Sequence, residues 1–393
     1  MKLKIFLLLL LSLSAYAQNL HDILSALGNS GAVKYIKEKR DSEIAANELS
    51  LAYNAPELGL SLAHAKDSAQ DGIEYSFSLS QNIAQPFSSA DKNSATEFAA
   101  KSLKQGAMHD IHMMTLDVAS KYHSACVAKE MGESSDLLFT EQNKRFSQIQ
   151  KAYDLGEISK KELLFNKLDL AKLSQKASAY KREYLSEFSS LQKELDSLIL
   201  DGLSCDDLVV PIGHVELGDI NAHDELIDLA YQQKSSQAFY AVYDSTVSGL
   251  GYELAYDKEL DTRRYTAGIT IPLSFLSSQK EREKAKYLHN TSALNAYRDS
   301  LSKKIQSASK ALQQKIKTLF DEYTLLQTEI VPLNEELLKL SKSALDEGEG
   351  TVMEYLDASR SYSENVLEML AMKKTYYYEL FELYKTADLE FGE

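Results

Sequence analysis

Two hydrophobic periodicities take turns along this chain. From about Leu20 to Leu51 apolar positions recur at helical spacing and break near Gly28 to Gly31, which predicts one or two short helices. After Pro56 the period drops to two. Leu58, Leu60 and Leu62 alternate with Gly59, Ser61 and Ala63; beyond a turn-rich stretch at Asp67 to Gly72, Ile73, Tyr75, Phe77 and Leu79 alternate with Glu74, Ser76, Ser78 and Ser80. Alternation on both sides of a turn predicts a β-hairpin with one apolar and one polar face. Helical spacing then runs without proline from about Ala90 to Tyr153, and at 1.5 Å per residue some 60 residues make a rod of about 90 Å. A turn at Asp154 to Ser159 leads into a second long helix ending near Leu200. Along it Leu163, Leu170, Ala177, Tyr184, Leu191 and Leu198 form a heptad stripe for a neighbouring helix.

The same programme then repeats. Asp201 to Asn221, with Gly202, Pro211, Gly213 and Gly218, reads as a linker, followed by a helix from about His223 to Asp244. In a second hairpin Leu250, Tyr252, Leu254 and Tyr256 alternate with Gly251, Glu253, Ala255 and Asp257, and Tyr265, Ala267, Ile269 and Ile271 with Thr266, Gly268 and Thr270. A long helix from about Ser278 to Ala344 is expected to bend at Pro332. After a turn at Asp346 to Thr351, the last helix carries Val352, Leu356, Val366, Leu370, Tyr377, Leu380 and Tyr384 at mixed three and four spacings. The halves also match in sequence: at one constant offset Ala152, Asp154, Gly156, Glu157, Glu162 and Leu164 meet Ala344, Asp346, Gly348, Glu349, Glu354 and Leu356, and Leu58, Gly59, Leu62 and Ala63 meet Leu250, Gly251, Leu254 and Ala255. This is a tandem duplication with a period far longer than that of solenoid repeats.

The ends and the composition narrow the class. Lys2 and Lys4 precede an apolar run from Ile5 to Leu13 and then Ala15-Tyr16-Ala17, the pattern of a secretory signal cut near Ala17; Gln18 follows, where a lipid-attachment site would need cysteine. No later stretch reaches about 20 apolar residues, so helices are not expected to hold the chain in a membrane. The formal charge of −15 is spread along the chain without a basic cluster, which argues against nucleic acid and against anionic lipid headgroups as partners. Cys126 and Cys205 are too few for a disulfide scaffold, and their different contexts give no reason to pair them. There is no Walker loop, HExxH, GxSxG or Cys-x-x-Cys, so no enzyme and no cofactor is expected; Gly249-Leu-Gly251 and Gly348-Glu-Gly350 read as turn and bulge chemistry.

Four strands cannot close a barrel, and two aromatic-rich hairpins would leave unpaired edges in a soluble protein. Contributed by several copies, they could close a transmembrane barrel with the Leu, Tyr, Phe and Ile set outside and Ser, Thr, Gly, Glu and Asp lining the lumen. Lipid-facing candidates are Leu58, Leu60, Leu62, Tyr75, Phe77, Leu79, Leu250, Tyr252, Leu254, Tyr265, Ile269 and Ile271. Tyr75, Tyr252, Tyr256 and Tyr265 could form an interfacial girdle.

At this point the chain resembles the outer-membrane factors of the TolC family, the exit ducts of tripartite efflux pumps and type I secretion systems. The likeness rests on Ile330-Val331-Pro332-Leu333, on the paired marker Ala152/Gly156/Leu164 and Ala344/Gly348/Leu356, on Leu356-Asp357-Ala358, on Asn54-Ala55-Pro56, and on the order strand pair, helical hairpin, linker, strand pair, helical hairpin. The resemblance implies a mainly α fold with a membrane β-barrel portion: a homotrimer whose twelve-stranded outer-membrane barrel, four strands per chain, continues into a periplasmic α-helical coiled-coil barrel. It divides the chain into a signal peptide at 1–17, an N-terminal periplasmic helical segment at 18–55, a first β-hairpin at 56–88, a first helical hairpin at 89–200 with its tip near 154–159, a linker at 201–222, a helix at 223–245, a second β-hairpin at 246–276 and a second helical hairpin at 277–393 with its tip near 346–351. Implied partners are a periplasmic adaptor, an inner-membrane RND-type or ABC transporter, and outer-membrane lipids. The reading outside this class is a periplasmic coiled-coil adaptor, which would lack lipid-facing alternation.

Within that resemblance the turns at Gly156, Glu157, Gly348 and Glu349 are expected to meet the adaptor. Glu354 and Asp357 fall where the family places carboxylates facing the narrowing, and three copies of each would form acidic rings that raise one another's pKa. Gly350 and Leu345 stand where a basic residue and a tyrosine can form a latch, which puts that latch in doubt; Phe165 occupies the matching position to Asp357 in the first tip. Lys144, Arg145, Lys160, Lys161, Lys339 and Lys342 flank the tips and could steer docking or simply be solvated. His109, His112 and Met113 share a helical face, and His123 and Cys126 lie three apart, so a soft site for Cu(I) or Ag(I) is chemically possible. Helix packing accounts for these residues without a metal.

Overall fold

The computed structural model describes residues 18–66, 71–195, 199–205, 215–273 and 278–390. The expected signal segment, most of the Asp67–Gly72 turn, Leu198 of the heptad stripe, and Pro211 and Gly213 of the linker lie outside the described residues. The elements run α1 (Leu20–Gly28), α2 (Gly31–Leu51), β1 (Glu57–Lys66), β2 (Asp71–Ala84), α3 (Ser89–Asp154), α4 (Lys160–Glu194), α5 (Asp224–Asp244), β3 (Gly249–Lys258), β4 (Arg263–Thr270), α6 (Gln279–Leu325), α7 (Val331–Glu347) and α8 (Val352–Ala387). They form two compact units. One takes the chain as far as Lys34, Ile111–Gly218 and everything from Gln306; the other takes Tyr35–Asp110 and Asp219–Ile305.

The second unit holds the sheet. The two hairpins join through β2 and β3 into one antiparallel sheet of order β1-β2-β3-β4, which leaves β1 and β4 with one neighbour each. The register keeps the apolar sets together: Leu60 faces Phe77, Phe77 faces Tyr256, and Tyr256 faces Tyr265, while Ser61, Ser76, Asp257 and Arg264 share the other face. A one-residue slip would invert a strand, so this agreement across four strands fixes the register. In the same unit, Leu226 and Leu229 of α5 are buried with Ile305 of α6.

In the first unit, α1 buries Leu20, Ile23 and Leu27 in a core with Leu116, Ala119 and Tyr122 of α3, Leu191 of α4, and Tyr376, Leu380, Phe381 and Leu383 of α8. The heptad stripe of α4 is buried at Ala177 and Leu191 and half-buried at Leu163, Leu170 and Tyr184. α4 stops at Glu194, short of Leu200, because Gln192 folds over its end: the side-chain carbonyl accepts from the Leu200 N–H at 2.7 Å and the amide donates to the Leu195 carbonyl at 3.4 Å. Pro332 removes a backbone donor from its helix. The chain absorbs this with a π turn at Leu326–Ile330, in which the Val331 N–H reaches the Leu326 carbonyl and the Asn334 side chain donates to the Ile330 carbonyl at 2.8 Å.

The cysteine expectation is corrected here. Cys126 of α3 and Cys205 are joined in a disulfide with Cα atoms 5.5 Å apart. What the sequence hides is that the segment before Cys205 returns along α3. Tyr122 donates its hydroxyl to the Ser204 carbonyl, Lys129 reaches the Leu203 carbonyl at 3.2 Å, and Gln18 pairs with Leu203 in a parallel bridge.

Candidate functional site: the hairpin tips and the apolar sheet face

Both helical hairpins turn through the same local chemistry. α3 and α7 end on Gly156 and Gly348, at φ +80° and +75°, where a glycine avoids the Cβ penalty. The next N–H returns to the carbonyl of the matched alanine, Glu157 to Ala152 and Glu349 to Ala344, each at 2.9 Å, and the glycine N–H bonds Tyr153 or Leu345. This pair of bonds satisfies carbonyls that a helix end would otherwise orphan. The helices that follow start on capping boxes. Ser159 and Thr351 accept from the N–H of Glu162 and Glu354, whose carboxylates accept from the cap N–H at 2.6 and 2.8 Å. Those N–H bonds hold both carboxyls below the usual glutamate range. The duplicated Ala-Gly-Glu marker is thus turn chemistry, and it leaves Gly156, Glu157, Gly348 and Glu349 exposed.

The two carboxylates expected at the narrowing differ in freedom. Glu354 is bent back onto Thr351. Asp357 is 63% exposed in its side chain and lies 3.5 Å from Arg360. Arg360 is bound more closely to Asp169 of α4, through Nε at 2.9 Å and a second, shorter bond from Nη2. Nearby, Arg145 of α3 stands 4.5 Å over the Tyr355 ring. These groups edge a cleft of roughly 300 Å³ between α3, α4 and α8, with buried Asn166, Ser359 and Ser363 in its wall. Sequence reasoning missed Arg360, Asp169 and Tyr355; the available signal was Arg360 one helical turn beyond Asp357. Phe165, the counterpart of Asp357, is exposed beside Lys161. Of the other flanking cations, Lys339 pairs with Glu335 at 2.6 Å, and Lys144, Lys160 and Lys342 are exposed.

The soft-metal reading of His123 and Cys126 is overturned, because the Cys126 sulfur is spent in the disulfide. His123 is fully buried among the rings of Tyr122, Tyr377 and Phe381, the nearest centroid at 4.7 Å, with neither nitrogen hydrogen-bonded. That is a packed aromatic position. The His109 ring lies 5.9 Å from that of His223, while His112 Nε2 lies 3.6 Å from the Asp388 carboxylate and Met113 packs on the core.

On the sheet, Leu58, Leu60, Leu62, Tyr75, Phe77, Leu79, Leu250, Tyr252, Leu254, Tyr265 and Ile269 share one face, and Ile271 follows just past β4. Much of it is bare: Leu62 is 79% exposed, Tyr265 78% and Ile269 75%. A contiguous apolar face of this kind marks an interaction surface.

No protein-family profile matches the sequence, and no curated protein matches it. Solved structures do. A CusC structure, described for folding and transmembrane channel formation, superposes with a TM-score of 0.76 at 11% identity, covering 95% of this chain and 92% of that one. The fold is TolC-like. The open state of the Neisseria gonorrhoeae MtrE outer membrane channel gives 0.74 at 13% identity, over 94% and 88% of the two chains. The Campylobacter jejuni CmeC outer membrane channel gives 0.71 at 12%, over 94% and 85%. Identities this low establish likeness of fold. In TolC-like terms each half of the duplication carries one strand pair and one helical hairpin, tipped by Gly156 and Gly348.

Proposed function

We propose that the chain is the outer-membrane exit duct of a tripartite efflux pump, passively conducting small toxic compounds passed to it by a periplasmic adaptor and an inner-membrane RND-type transporter. The observation that carries this reading is the sheet: one face is predominantly apolar with much of it exposed, and among the described residues β1 and β4 each have one open edge. Three copies joined edge to edge would close a twelve-stranded barrel with that face to lipid and every backbone group paired. The CmeC and MtrE channels share the fold and are outer-membrane channels. The tips at Gly156, Glu157, Gly348 and Glu349 would receive the adaptor. Asp357, exposed, and Glu354, held against its cap, would face the narrowing.

Fractionation and planar-bilayer recording test this directly. The mature chain should be recovered from outer membrane as a trimer and form cation-preferring channels, and Asp357→Ala should enlarge single-channel conductance more than Glu354→Ala. Recovery as a soluble periplasmic protein would defeat the duct. Unchanged conductance and selectivity in both variants would remove the acidic narrowing and leave the duct standing.

A further inference from the structure

Charge on the sheet is sorted by face and by end. Among the described strand residues, the polar face carries Glu57, Glu74, Glu253 and Asp257 against a single guanidinium, Arg264. The apolar face carries its basic side chains, His64, Lys66, Lys258 and Arg263, only at the hairpin-turn end, away from the end where α3 and α6 follow the strands. The carboxylate among them, Asp71, is taken by His64 at 2.9 Å and Lys66 at 3.6 Å. Lys258 and Arg263 form no ion pair among the described residues. They are direct cross-strand partners on β3 and β4, and like charges placed opposite one another weaken a sheet unless an anion lies between them. Two residues toward the sheet centre, Phe77, Tyr256 and Tyr265 line up across three strands, with the Tyr256 and Tyr265 centroids 5.0 Å apart. Tyr75, the β2 partner of Lys258, stands level with the cations, its ring 6.2 Å from that of Tyr256 and 5.7 Å from Lys258 Nζ. Apolar surface, then an aromatic row, then paired cations is the order of environments met on leaving a bilayer through a phosphate-bearing leaflet.

We propose that Lys258 and Arg263 form a binding site on the outer rim of the apolar face for the phosphate group of an anionic lipid headgroup. The planar Arg263 guanidinium can donate to two phosphate oxygens, and the Lys258 ammonium supplies a mobile point charge beside them. The net negative charge of the chain had argued against such lipids, but the groups that matter are local, and the carboxylates that outnumber them point to the other face. The inference rests on the duct reading, since only a bilayer around the sheet brings headgroups to this level.

The test uses the full-length trimer in nanodiscs of phosphatidylcholine doped with bisphosphorylated lipid A, with dephosphorylated lipid A and inorganic phosphate as separate arms. Bisphosphorylated lipid A should be retained and should raise the melting temperature, and K258Q/R263Q should weaken retention by about thirtyfold, the effect of two cations at a charged lipid surface. The variant should insert and conduct as the wild type does. K258R is expected to keep the binding. Equal retention by K258Q/R263Q, equal retention of the dephosphorylated lipid, or the same stabilisation from inorganic phosphate alone would overturn the headgroup site. Wild-type protein that neither inserts nor conducts would instead overturn the duct.

Discussion

His123 shows most plainly what one residue contributes. Burial among three aromatic rings, with the Lys373 charge nearby, pushes its imidazole down to about 3 from an ordinary 6.5. Between those values the unfolded chain binds a proton that the folded chain refuses. Stability is therefore full above about pH 6.5 and falls as pH drops toward 3, by ~1.4 kcal/mol per pH unit. His123→Phe, which keeps a ring in the cage and removes two unpaired nitrogens, should flatten the acid side of a melting-temperature profile and raise stability at neutral pH. Parallel profiles for the two proteins would clear His123 of the effect. Sequence spacing alone offered His123 and Cys126 as a ligand pair; the deciding facts, a cage built from α8 and a bond to Cys205, come from residues far along the chain.

At the scale of elements, much was legible. Strand alternation placed Leu58, Tyr75, Leu254 and Tyr265 on one face because a period of two needs no tertiary information, and the register of all four strands agrees with it. The junction of β2 with β3 was not legible, since no local pattern states which edges of two hairpins meet. The tips were half legible: the duplication flagged Ala152 with Ala344 and Glu162 with Glu354, and the resemblance offered Glu354 as a carboxylate facing the narrowing, but the capping boxes that both glutamates close were not read from the sequence. The tip glycines differ in what a methyl group would meet. Gly348 has nothing within 4 Å of a new Cβ, so Gly348→Ala should cost only its left-handed φ, ~1 kcal/mol. At Gly350 the new atom would lie 2.9 Å from the Ala344 Cβ, so Gly350→Ala should cost more. Thermal unfolding of the two variants ranks them, and an equal or reversed order would show that the tip relaxes around the added methyl.

For the whole molecule, the disulfide closes a loop of 79 residues that contains all of α4. Loop-closure entropy assigns a link of this length about 4.5 kcal/mol. Cys126→Ser with Cys205→Ser should lower the melting temperature, reductant should do the same to the wild type and nothing to the variant, and a reductant-insensitive wild type would show that the bond contributes nothing. The open edges of β1 and β4 reach further. A sheet with bare backbone groups on two sides has no comfortable place in hydrocarbon as a single copy, so on the duct reading insertion and association are one event, completed by three chains or by none. One defective edge would then spoil the ring for two sound neighbours. In a cell carrying both forms of the gene, a proline in β4 should behave as dominant, and with equal expression only about one ring in eight would escape it.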